Sequence, residues 1–239
     1  MTGESLCDAR WLGRMEYLEA WRLQQALAEE RARGLGRDTL LLLEHPPTYT
    51  VGRGPTGSDS AKRSGDQDAF LTPPAALEAM GAAVHDVDRG GRVTFHGPSQ
   101  LVGYPIIDLT AWRRDVDAYL RALEEVLIAS LADFGLAAER KRGYTGVWVG
   151  DEKIGAIGVK VSRWVTTHGF ALNVTCDLDW FGHIVPCGLR GKGVTSLERA
   201  GGGRPTLPVV AEKVAEHFGR VFGRRMVWLP EPAAVAGRS

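Results

Sequence analysis

The segment from residue 115 to 134 constrains the fold most, because its apolar residues recur at one fixed spacing. Steps of three and four residues separate Val116, Leu120, Leu123, Leu127, Leu131 and Phe134. This spacing predicts an α-helix with one apolar face, which must be buried against another part of the protein. Gly135 follows, and glycine is the residue most often found just beyond the end of a helix. The rest of the chain must therefore supply an apolar surface for this helix.

Strands are predicted on both sides of that helix. The segments expected to be extended are 39–43, 48–51, 83–88, 92–95, 147–149, 153–161 and 166–174. Segments 147–149 and 153–161 are expected to form a hairpin about the turn at 150–152, where Gly150 favours reversal of the chain. Residues 101–109 are also apolar, but Pro105 lies inside them and cannot donate a backbone hydrogen bond. We therefore expect 101–109 to be an edge strand or an irregular one.

Helices are expected before, between and after these strands. Residues 14–33 and 208–222 have helical spacing of apolar side chains, and a short helix is expected after Thr72 as N-cap and Pro73 as first residue. No repeat and no long Pro/Gly/Ser linker divides the chain. The sequence thus predicts one α+β (mixed α/β) domain over residues 1–232, with a largely antiparallel or mixed sheet flanked by helices, and a tail at 233–239.

Composition excludes several classes of protein. The chain has 239 residues, and 29 Lys and Arg balance 29 Asp and Glu, so bulk charge gives no reason to expect nucleic acid or membrane partners. Its three cysteines, Cys7, Cys176 and Cys187, are too few and too irregular for a disulfide framework or a zinc site. The N-terminus lacks a signal-peptide core, and no apolar run is long enough for a membrane span. A cytoplasmic enzyme without metal is expected.

Cys187 is the first candidate for chemistry. It lies between Pro186 and Gly188, in a glycine-rich stretch that follows the apolar pair Ile184 and Val185. Proline ends regular structure, and glycine lets a substrate approach closely, so this context suits a thiol at the mouth of a site. The alternative is a buried structural cysteine, because free cysteine is among the most buried residue types.

The second candidate is the stretch from Arg89 to His96. Its two glycines permit a close backbone approach to a ligand. In the strand that follows, Thr94 and His96 share one face, and Val93 and Phe95 share the other. A polar face backed by an apolar one suits a substrate with a polar head and an apolar body. A simple hairpin turn followed by a half-buried strand is the alternative.

Lys153 begins the third candidate stretch, and His168 lies in the fourth. Small residues alternate with larger ones after Lys153, so one face of this strand is nearly bare and forms a groove suited to an acyl chain. A solvent-facing turn lysine is the alternative. His168 lies near the start of its strand, and a lone histidine there is more often structural than catalytic.

Four long motifs in this order carry a resemblance to a known family. They are HPPTYTVGR, RGGRVTFHGPSQLVGYPIIDL, KIGAIGVKVSRWVTTHGFALNV, and FGHIVPCGL followed by TSL. Between Leu40 and Leu197 the chain resembles the octanoyltransferases of lipoate biosynthesis. The resemblance implies the fold of the biotin and lipoate protein ligases and a reaction that needs no cofactor. It implies transfer of an octanoyl group from acyl carrier protein to a lysine of lipoyl domains in 2-oxoacid dehydrogenase subunits and the glycine cleavage H protein.

The resemblance also implies roles for individual residues. The acyl-accepting cysteine of the family falls on Cys187, and its catalytic lysine falls on Lys153 rather than on Lys160. The implied substrate-binding residues are Arg89, Gly90, Gly91, Arg92, Val93, Thr94, Phe95, His96, Ala156, Ile157, Gly158, Gly169, Phe170 and Ala171. A lysine ammonium beside the thiol would favour the reactive thiolate, which predicts a ping-pong route through a cysteine thioester without ATP. His96 and His168 are expected to line or orient the site.

Other functions stay open at this level. An ATP-dependent lipoate ligase would share the fold, although it needs no nucleophilic cysteine, and no phosphate loop is recognisable in the sequence. A transferase that moves acyl groups between protein domains would differ only in its donor. A binding module for lipoyl domains would have lost the chemistry, and a papain-like hydrolase would have its cysteine much earlier in the chain.

Overall fold

The computed structural model describes residues 5–54, 69–185 and 193–230. The strands are β1 (Leu6–Arg14), β2 (Asp38–Glu44), β3 (Thr48–Gly54), β4 (Ala83–Asp86), β5 (Gly91–His96), β6 (Gln100–Ile106), β7 (Glu139–Lys141), β8 (Tyr144–Val149), β9 (Glu152–Ser162), β10 (Val165–Asn173), β11 (Gly193–Val194) and β12 (Arg225–Trp228). The helices are α1 (Tyr17–Ala32), α2 (Pro74–Ala79), α3 (Val116–Ala132) and α4 (Leu207–Phe222), with 3₁₀ turns at Leu109–Ala111 and Asp179–His183.

Two sheets organise the described part of the chain. The larger has the order β12-β1-β2-β6-β10-β9-β8-β7, and β11 adds to it beside β9. Strands β12, β1 and β2 are parallel to one another, while β2, β6, β10, β9, β8 and β7 are antiparallel. The smaller sheet has the order β4-β3-β5. The predicted α+β fold with a mixed sheet is confirmed.

Helices cover both faces of the larger sheet. On one face α3 and α4 form the main core, in which Leu123, Leu127, Val214 and Phe218 are fully buried. On the other face α1 packs through Ala20 on apolar side chains of β2 and β6. These contacts explain why the periodic sequences form helices, since most helical stability in proteins comes from packing an apolar face.

Helix α3 begins at a capping residue that the sequence analysis did not single out and ends at the glycine that it did. The side chain of Asp115 accepts a hydrogen bond from the backbone N–H of Ala118 at 2.9 Å, and Gly135 follows the helix with a φ of 78°. Of the predicted apolar face, Leu123, Leu127 and Leu131 are fully buried and Phe134 is half-buried, while at its beginning Val116 is 38% exposed and Leu120 is half-buried. Both of these side chains line a cavity, which is the physical reason that they are not covered by the core.

Of the two alternatives predicted for 101–109, the edge strand is wrong, while the irregular strand is confirmed by an interruption in the ladder on one side. Strand β6 lies in the centre of the larger sheet, between β2 and β10. Pro105 is tolerated there because the ladder with β10 stops at Gly103, opposite Phe170, and resumes only at a single bridge between Asp108 and Val165. The missing N–H of proline therefore falls in a gap between hydrogen-bonded pairs.

The predicted start of the short helix is wrong by one residue. Helix α2 begins at Pro74, with Pro73 as the flanking residue. The Thr72 hydroxyl contacts Nδ1 of His183 at 2.8 Å, so it is not available to cap the helix. Gly81 follows the helix with a φ of 90°, as expected for a stop.

The predicted tail at 233–239 lies outside the described residues. Among the described ones, no helix combines the length and the apolar character that a membrane span requires.

Candidate active site

A groove runs along β9 and β10 beneath the turn that precedes β5. It has two adjoining recesses, which share Gly91, Ala156, Ile157 and Gly158 in their walls. The wider recess has a volume of about 500 Å³ and is lined at one end by Lys153. The narrower one has a volume of about 40 Å³ and ends among the side chains of polar aromatic residues. The groove is thus apolar along its length and polar at both ends.

Gly158 makes the groove compatible with the turn above it. The backbone N–H of Gly90 donates to the carbonyl of Val159 at 2.9 Å, which holds the turn directly on β9. A Cβ atom at position 158 would lie 2.9 Å from the carbonyl oxygen of Gly90 and 3.1 Å from Cδ of Arg89. Any side chain at position 158 would push the turn away. The strand face that was predicted to be bare after Lys153 is therefore the place where the backbone of the turn contacts the backbone of β9.

Lys153 is held in a defined position at the wide end of the groove. Its side chain is buried, and its Nζ donates to the carbonyl of Thr145 at 3.1 Å. The same ammonium lies 4.9 Å from the centre of the Trp148 ring, which faces it across the β8–β9 pair. An aromatic face attracts a cation electrostatically, so these two contacts together fix the amine toward the cavity.

Strand β9, which carries Lys153, also pairs with the segment that begins at Gly193. Strand β11 is parallel to β9 and pairs Val194 with Lys153. The N–H of Thr195 then donates to the Lys153 carbonyl at 2.9 Å. Asn173 fixes the same segment from β10, because its side-chain amide donates to the Thr195 carbonyl at 2.9 Å. Cys187 itself lies outside the described residues.

Arg89 turns inward and organises the turn between β4 and β5. One terminal nitrogen donates to both the carbonyl and the hydroxyl of Thr50, at 2.8 and 2.7 Å. The other donates to the carbonyls of Gly90 and Arg92, at 3.0 and 2.9 Å. The buried guanidinium therefore ties the turn to β3 and shapes the wall of the groove.

Three buried histidines surround Tyr17 at the narrow end. Burial lowers the pKa of His45 to about 4, although its hydrogen bond to the Met15 carbonyl opposes the shift. Burial also lowers the pKa of His96 well below its usual range, and the neighbouring His45 and Arg89 add to that effect. The pKa of His168 is lowered mainly by burial, against an opposing contribution from Asp88. These rings are therefore neutral in the folded protein near pH 7.

Asp88 connects this cluster to the edge of β9. One carboxylate oxygen contacts Nε2 of His168 at 2.7 Å, and the other contacts Nζ of Lys160 at 2.5 Å. The hydrogen bond from His168, followed by that from Lys160, holds the pKa of Asp88 well below its usual range. His168 has a φ of 58°, and its backbone N–H donates to the side chain of Gln24 in α1 rather than to a strand.

The structure brings most of the predicted site residues to one groove. Every predicted substrate-binding residue lines one of the two recesses, apart from Val93 and Phe95. Those two are buried in the apolar core of the smaller sheet, on the opposite face of β5 from Thr94 and His96. The alternation along this strand thus separates groove residues from core residues.

Sequence reasoning missed several groups at the narrow end. Tyr17, Tyr104 and Asp88 meet His168 and His96 there, yet they come from α1, β6 and the turn after β4. His45 joins them by accepting from the Tyr104 hydroxyl at 2.8 Å. The resemblance motifs contain His45 and Tyr104, but nothing in their spacing indicates that the two touch.

Comparison with known proteins agrees with this architecture. Residues 16–219 match the model of the lipoyl protein ligase A/B catalytic domain. The chain is 50% identical to an octanoyltransferase of Solibacter usitatus, over 92% of this chain and 95% of that protein. It is 51% identical to an octanoyltransferase of Rubrobacter xylanophilus, over 90% and 94% of the two chains.

Solved structures show the same fold at low sequence identity. A lipoate-protein ligase A bound with ATP superposes with a TM-score of 0.68 at 15% identity, covering 94% of this chain and 90% of the other. A bipartite lipoate protein ligase of Thermoplasma acidophilum gives a TM-score of 0.68 at 14% identity, covering 95% and 88%. By its sequence relatives this chain belongs to the octanoyltransferases, acyltransferases that share the catalytic domain of lipoyl protein ligases A and B.

Proposed function

We propose that this protein moves an octanoyl group from acyl carrier protein to a lysine of a lipoyl domain, through a thioester on Cys187 and without ATP. The observation that carries the proposal is the placement of Lys153. Its buried amine opens on a cavity of about 500 Å³, and its strand pairs with Gly193 and Val194, which begin six residues after Cys187. In this proposal Lys153 is the group that activates the thiol of Cys187.

The first step forms the acyl-enzyme. A free thiol has a pKa of about 8.5, and a neighbouring positive charge favours its thiolate. The Cys187 thiolate attacks the thioester carbonyl of the donor, the new S–C bond forms, and the bond to the phosphopantetheine sulfur breaks. The departing thiolate takes the proton of the Lys153 ammonium, which leaves Lys153 neutral for the second step. One thioester is exchanged for another, so the step needs no input of energy from ATP.

The second step passes the acyl group to an amine. The lysine of the acceptor has a pKa of about 10.4 in water, so it must lose a proton before it attacks the Cys187 thioester. Lys153 in its neutral form accepts that proton as the general base of the step, and the second proton, which the nitrogen loses as the amide forms, passes to water. The amide forms, the bond to Cys187 breaks, and the thiolate is restored beside the Lys153 ammonium.

The groove beside Lys153 suits the acyl chain. Ala156, Ile157, Gly158, Phe170 and Ala171 line it. We place the chain of the octanoyl group along β9, with its carbonyl carbon at the Lys153 end and its methyl end toward the narrow recess. Burial of apolar surface at about 25 cal/mol per Å² then supplies the binding free energy of the chain.

The proposed partners are octanoyl-acyl carrier protein as donor and lipoyl domains as acceptors. The Thermoplasma ligase belongs to a lipoylation system with its own lipoyl domain. For this chain we propose the lipoyl domains of 2-oxoacid dehydrogenase subunits and the glycine cleavage H protein. Exposed Arg142 lies at the rim of the groove beside Gly143 and Tyr144, whereas Arg140 and Lys141 are already paired with carboxylates of this chain.

The intact mass of the protein tests the acyl-enzyme directly. Wild type, Cys187→Ala and the control Cys176→Ala, which removes a buried thiol, are each incubated with octanoyl-acyl carrier protein without ATP. We expect an octanoyl adduct that hydroxylamine removes, present on wild type and Cys176→Ala and absent from Cys187→Ala. An adduct on all three proteins, or octanoyl transfer by Cys187→Ala at the wild-type rate, would refute the cysteine route.

A second pair of assays separates this function from the alternatives. If a lipoyl domain is acylated only when ATP and free octanoate are supplied, the protein acts as a ligase and the proposal fails.

Lys153→Ala should slow transfer by at least about 100-fold, the usual contribution of a general base, while Lys213→Ala on the exposed face of α4 should not. Full activity of Lys153→Ala, with complete loss in His168→Ala, would instead assign a Cys–His pair.

A further inference from the structure

One peptide group contacts both Lys153 and a buried carboxylate. The peptide that joins Thr145 to Gly146 presents its carbonyl oxygen to Nζ of Lys153 at 3.1 Å. The N–H of the same peptide donates to Oε1 of Glu124 at 2.9 Å. A carboxylate on α3 is thus linked to the amine on β9 through a single planar group whose two ends cannot move independently.

Glu124 is held in place from its other side. It is fully buried, and its second carboxylate oxygen lies 2.7 Å from a terminal nitrogen of Arg121 and 3.2 Å from Nε of Arg140. Two cations therefore offset the charge of the carboxylate, and they do so as ion pairs rather than as hydrogen-bond donors to that oxygen. A buried acid with one oxygen given to ion pairs and the other to a backbone N–H has little freedom to turn.

Gly146 lets this peptide lie against the lysine. Its φ is 119°, a conformation that other residues rarely adopt. A Cβ atom at this position would be 3.4 Å from Cε and 3.6 Å from Nζ of Lys153, and 2.5 Å from the carbonyl of Gly155. The backbone at Gly146 is therefore packed directly on the Lys153 side chain, and its direction sets where the amine points.

We propose that Glu124 is a positioning residue for Lys153, acting through the Thr145–Gly146 peptide. This inference rests on the catalytic role of Lys153 in the proposed function. A carboxylate that accepts from the N–H polarises the peptide and makes its carbonyl a stronger acceptor for the lysine amine. The sequence pattern gives no sign of this role, since Glu124 occupies an ordinary position in a helix with an equally acidic neighbour, Glu125.

Two substitutions separate the contact with the peptide from the charge. Glu124→Asp keeps a carboxylate for Arg121 and Arg140 but withdraws it from the Gly146 N–H by one methylene. Glu124→Gln removes the charge but keeps an oxygen that can accept from that N–H. Glu125→Ala is the matched control, because Glu125 also pairs with Arg140, at 2.6 Å, while making no contact with the peptide.

Two measurements are made on each folded variant. The first is steady-state octanoyl transfer, with kcat and KM for the carrier-bound donor determined separately. The second is the labelling rate of Lys153 by an amine-reactive ester, measured by peptide mass spectrometry and normalised to Lys213 in the same molecule. Glu124→Asp should lower kcat roughly tenfold at unchanged KM and speed Lys153 labelling, since one charge-assisted hydrogen bond is lost. For Glu124→Gln we expect kcat and the labelling rate of Lys153 to stay within about threefold of the wild-type values. For Glu125→Ala we expect the wild-type values of both.

The outcomes distinguish this inference from the proposed function. If Lys153 is labelled faster in Glu124→Asp while kcat is unchanged, Glu124 positions the lysine but the lysine is not catalytic. That outcome refutes the proposed catalytic role of Lys153 and leaves the positioning role of Glu124 intact. Unchanged labelling in Glu124→Asp overturns the positioning role, whatever happens to kcat. A loss in Glu125→Ala equal to that in Glu124→Asp also overturns it, because the effect would then come from Arg140.

Discussion

Single residues at the narrow end of the groove make the stability of the protein depend on pH. His45 is neutral in the folded state because burial lowers its pKa to about 4, whereas an unfolded histidine has a pKa of about 6.5. Below pH 6.5 the unfolded state therefore binds more protons, and the free energy of unfolding falls as the pH falls toward 4. His96 and His168, whose pKa values are also lowered, act in the same direction.

Removing one of these histidines should flatten that dependence. At about 1.4 kcal/mol per pH unit, His45 alone accounts for roughly 3 kcal/mol between pH 6.5 and 4. We expect His45→Gln to reduce the slope of the free energy of unfolding against pH by about 1.4 kcal/mol per pH unit, which is the contribution of one proton. Urea titrations between pH 7 and 4.5 measure this slope. His183→Gln, at a half-buried histidine on the surface, is the control. An unchanged slope in His45→Gln would contradict the burial argument.

At the scale of single residues, the sequence indicated which residues line the groove better than it indicated their surroundings. Lys153 could be predicted because it lies in a long motif, and the alternation of Thr94 and His96 with Val93 and Phe95 follows from the geometry of a strand. The contact of Lys153 with the Thr145 carbonyl could not be predicted, because it depends on a bulge that shifts the β8–β9 register between Val147 and Trp148. One extra residue in a strand redirects side chains without any clear mark in the sequence.

Among the elements, β9 depends on the absence of a side chain at Gly158. We expect Gly158→Ala to reduce the free energy of unfolding by about 1–3 kcal/mol, the usual cost of overpacking, because the new methyl group meets the Gly90 carbonyl. It should also raise the KM for the octanoyl donor, since the turn at 89–91 must move. Gly182→Ala is the control, because a Cβ atom there meets nothing within 4 Å. Equal effects of the two substitutions on denaturant midpoint and KM would refute this explanation.

The predictability of the elements followed the strength of their local signals. Helices α3 and α4 were predictable because their buried residues recur with helical spacing. Strand β1 was missed, although Cys7, Ala9 and Trp11 alternate with charged residues in the pattern of a half-buried strand. Strand β6 was wrongly predicted to lie at an edge, because the rule that proline disfavours central strands does not show where a ladder is interrupted. The ladder between β6 and β10 is interrupted near His168, whose φ is positive.

For the whole molecule, one buried ion-pair network joins distant parts of the chain. Asp38 at the start of β2 pairs with Arg31 of α1 at 2.8 Å and with Arg224 after α4 at 3.0 Å, and it accepts from the N–H of Asp108 at 3.1 Å. Both Asp38 and Arg224 are almost fully buried. Such long-range pairing, like the order of the strands, is invisible in any local window of sequence.

Breaking that network should destabilise the entire protein. We expect Asp38→Asn to reduce the free energy of unfolding by about 3–5 kcal/mol, because it leaves buried arginine charge without its carboxylate. The matched control is Asp8→Asn, because its partner Arg37 at 3.5 Å is 51% exposed, so this pairing should contribute less than about 1 kcal/mol. Urea unfolding followed by tryptophan fluorescence measures both. Similar losses for the two substitutions would show that burial does not set the strength of these pairs.

His168 also makes helix α1 and the turn at 88–92 a single cooperative unit. Its backbone N–H donates to Gln24 at 2.7 Å, its Nδ1 faces the Tyr17 hydroxyl at 3.5 Å, and its Nε2 contacts Asp88 at 2.7 Å. The turn cannot leave β9 and β10 without releasing a histidine on which the helix also depends. Amide hydrogen exchange in the two segments should therefore be governed by one shared opening event, and a ligand that fills the groove should slow exchange throughout a helix that borders the groove only at Tyr17.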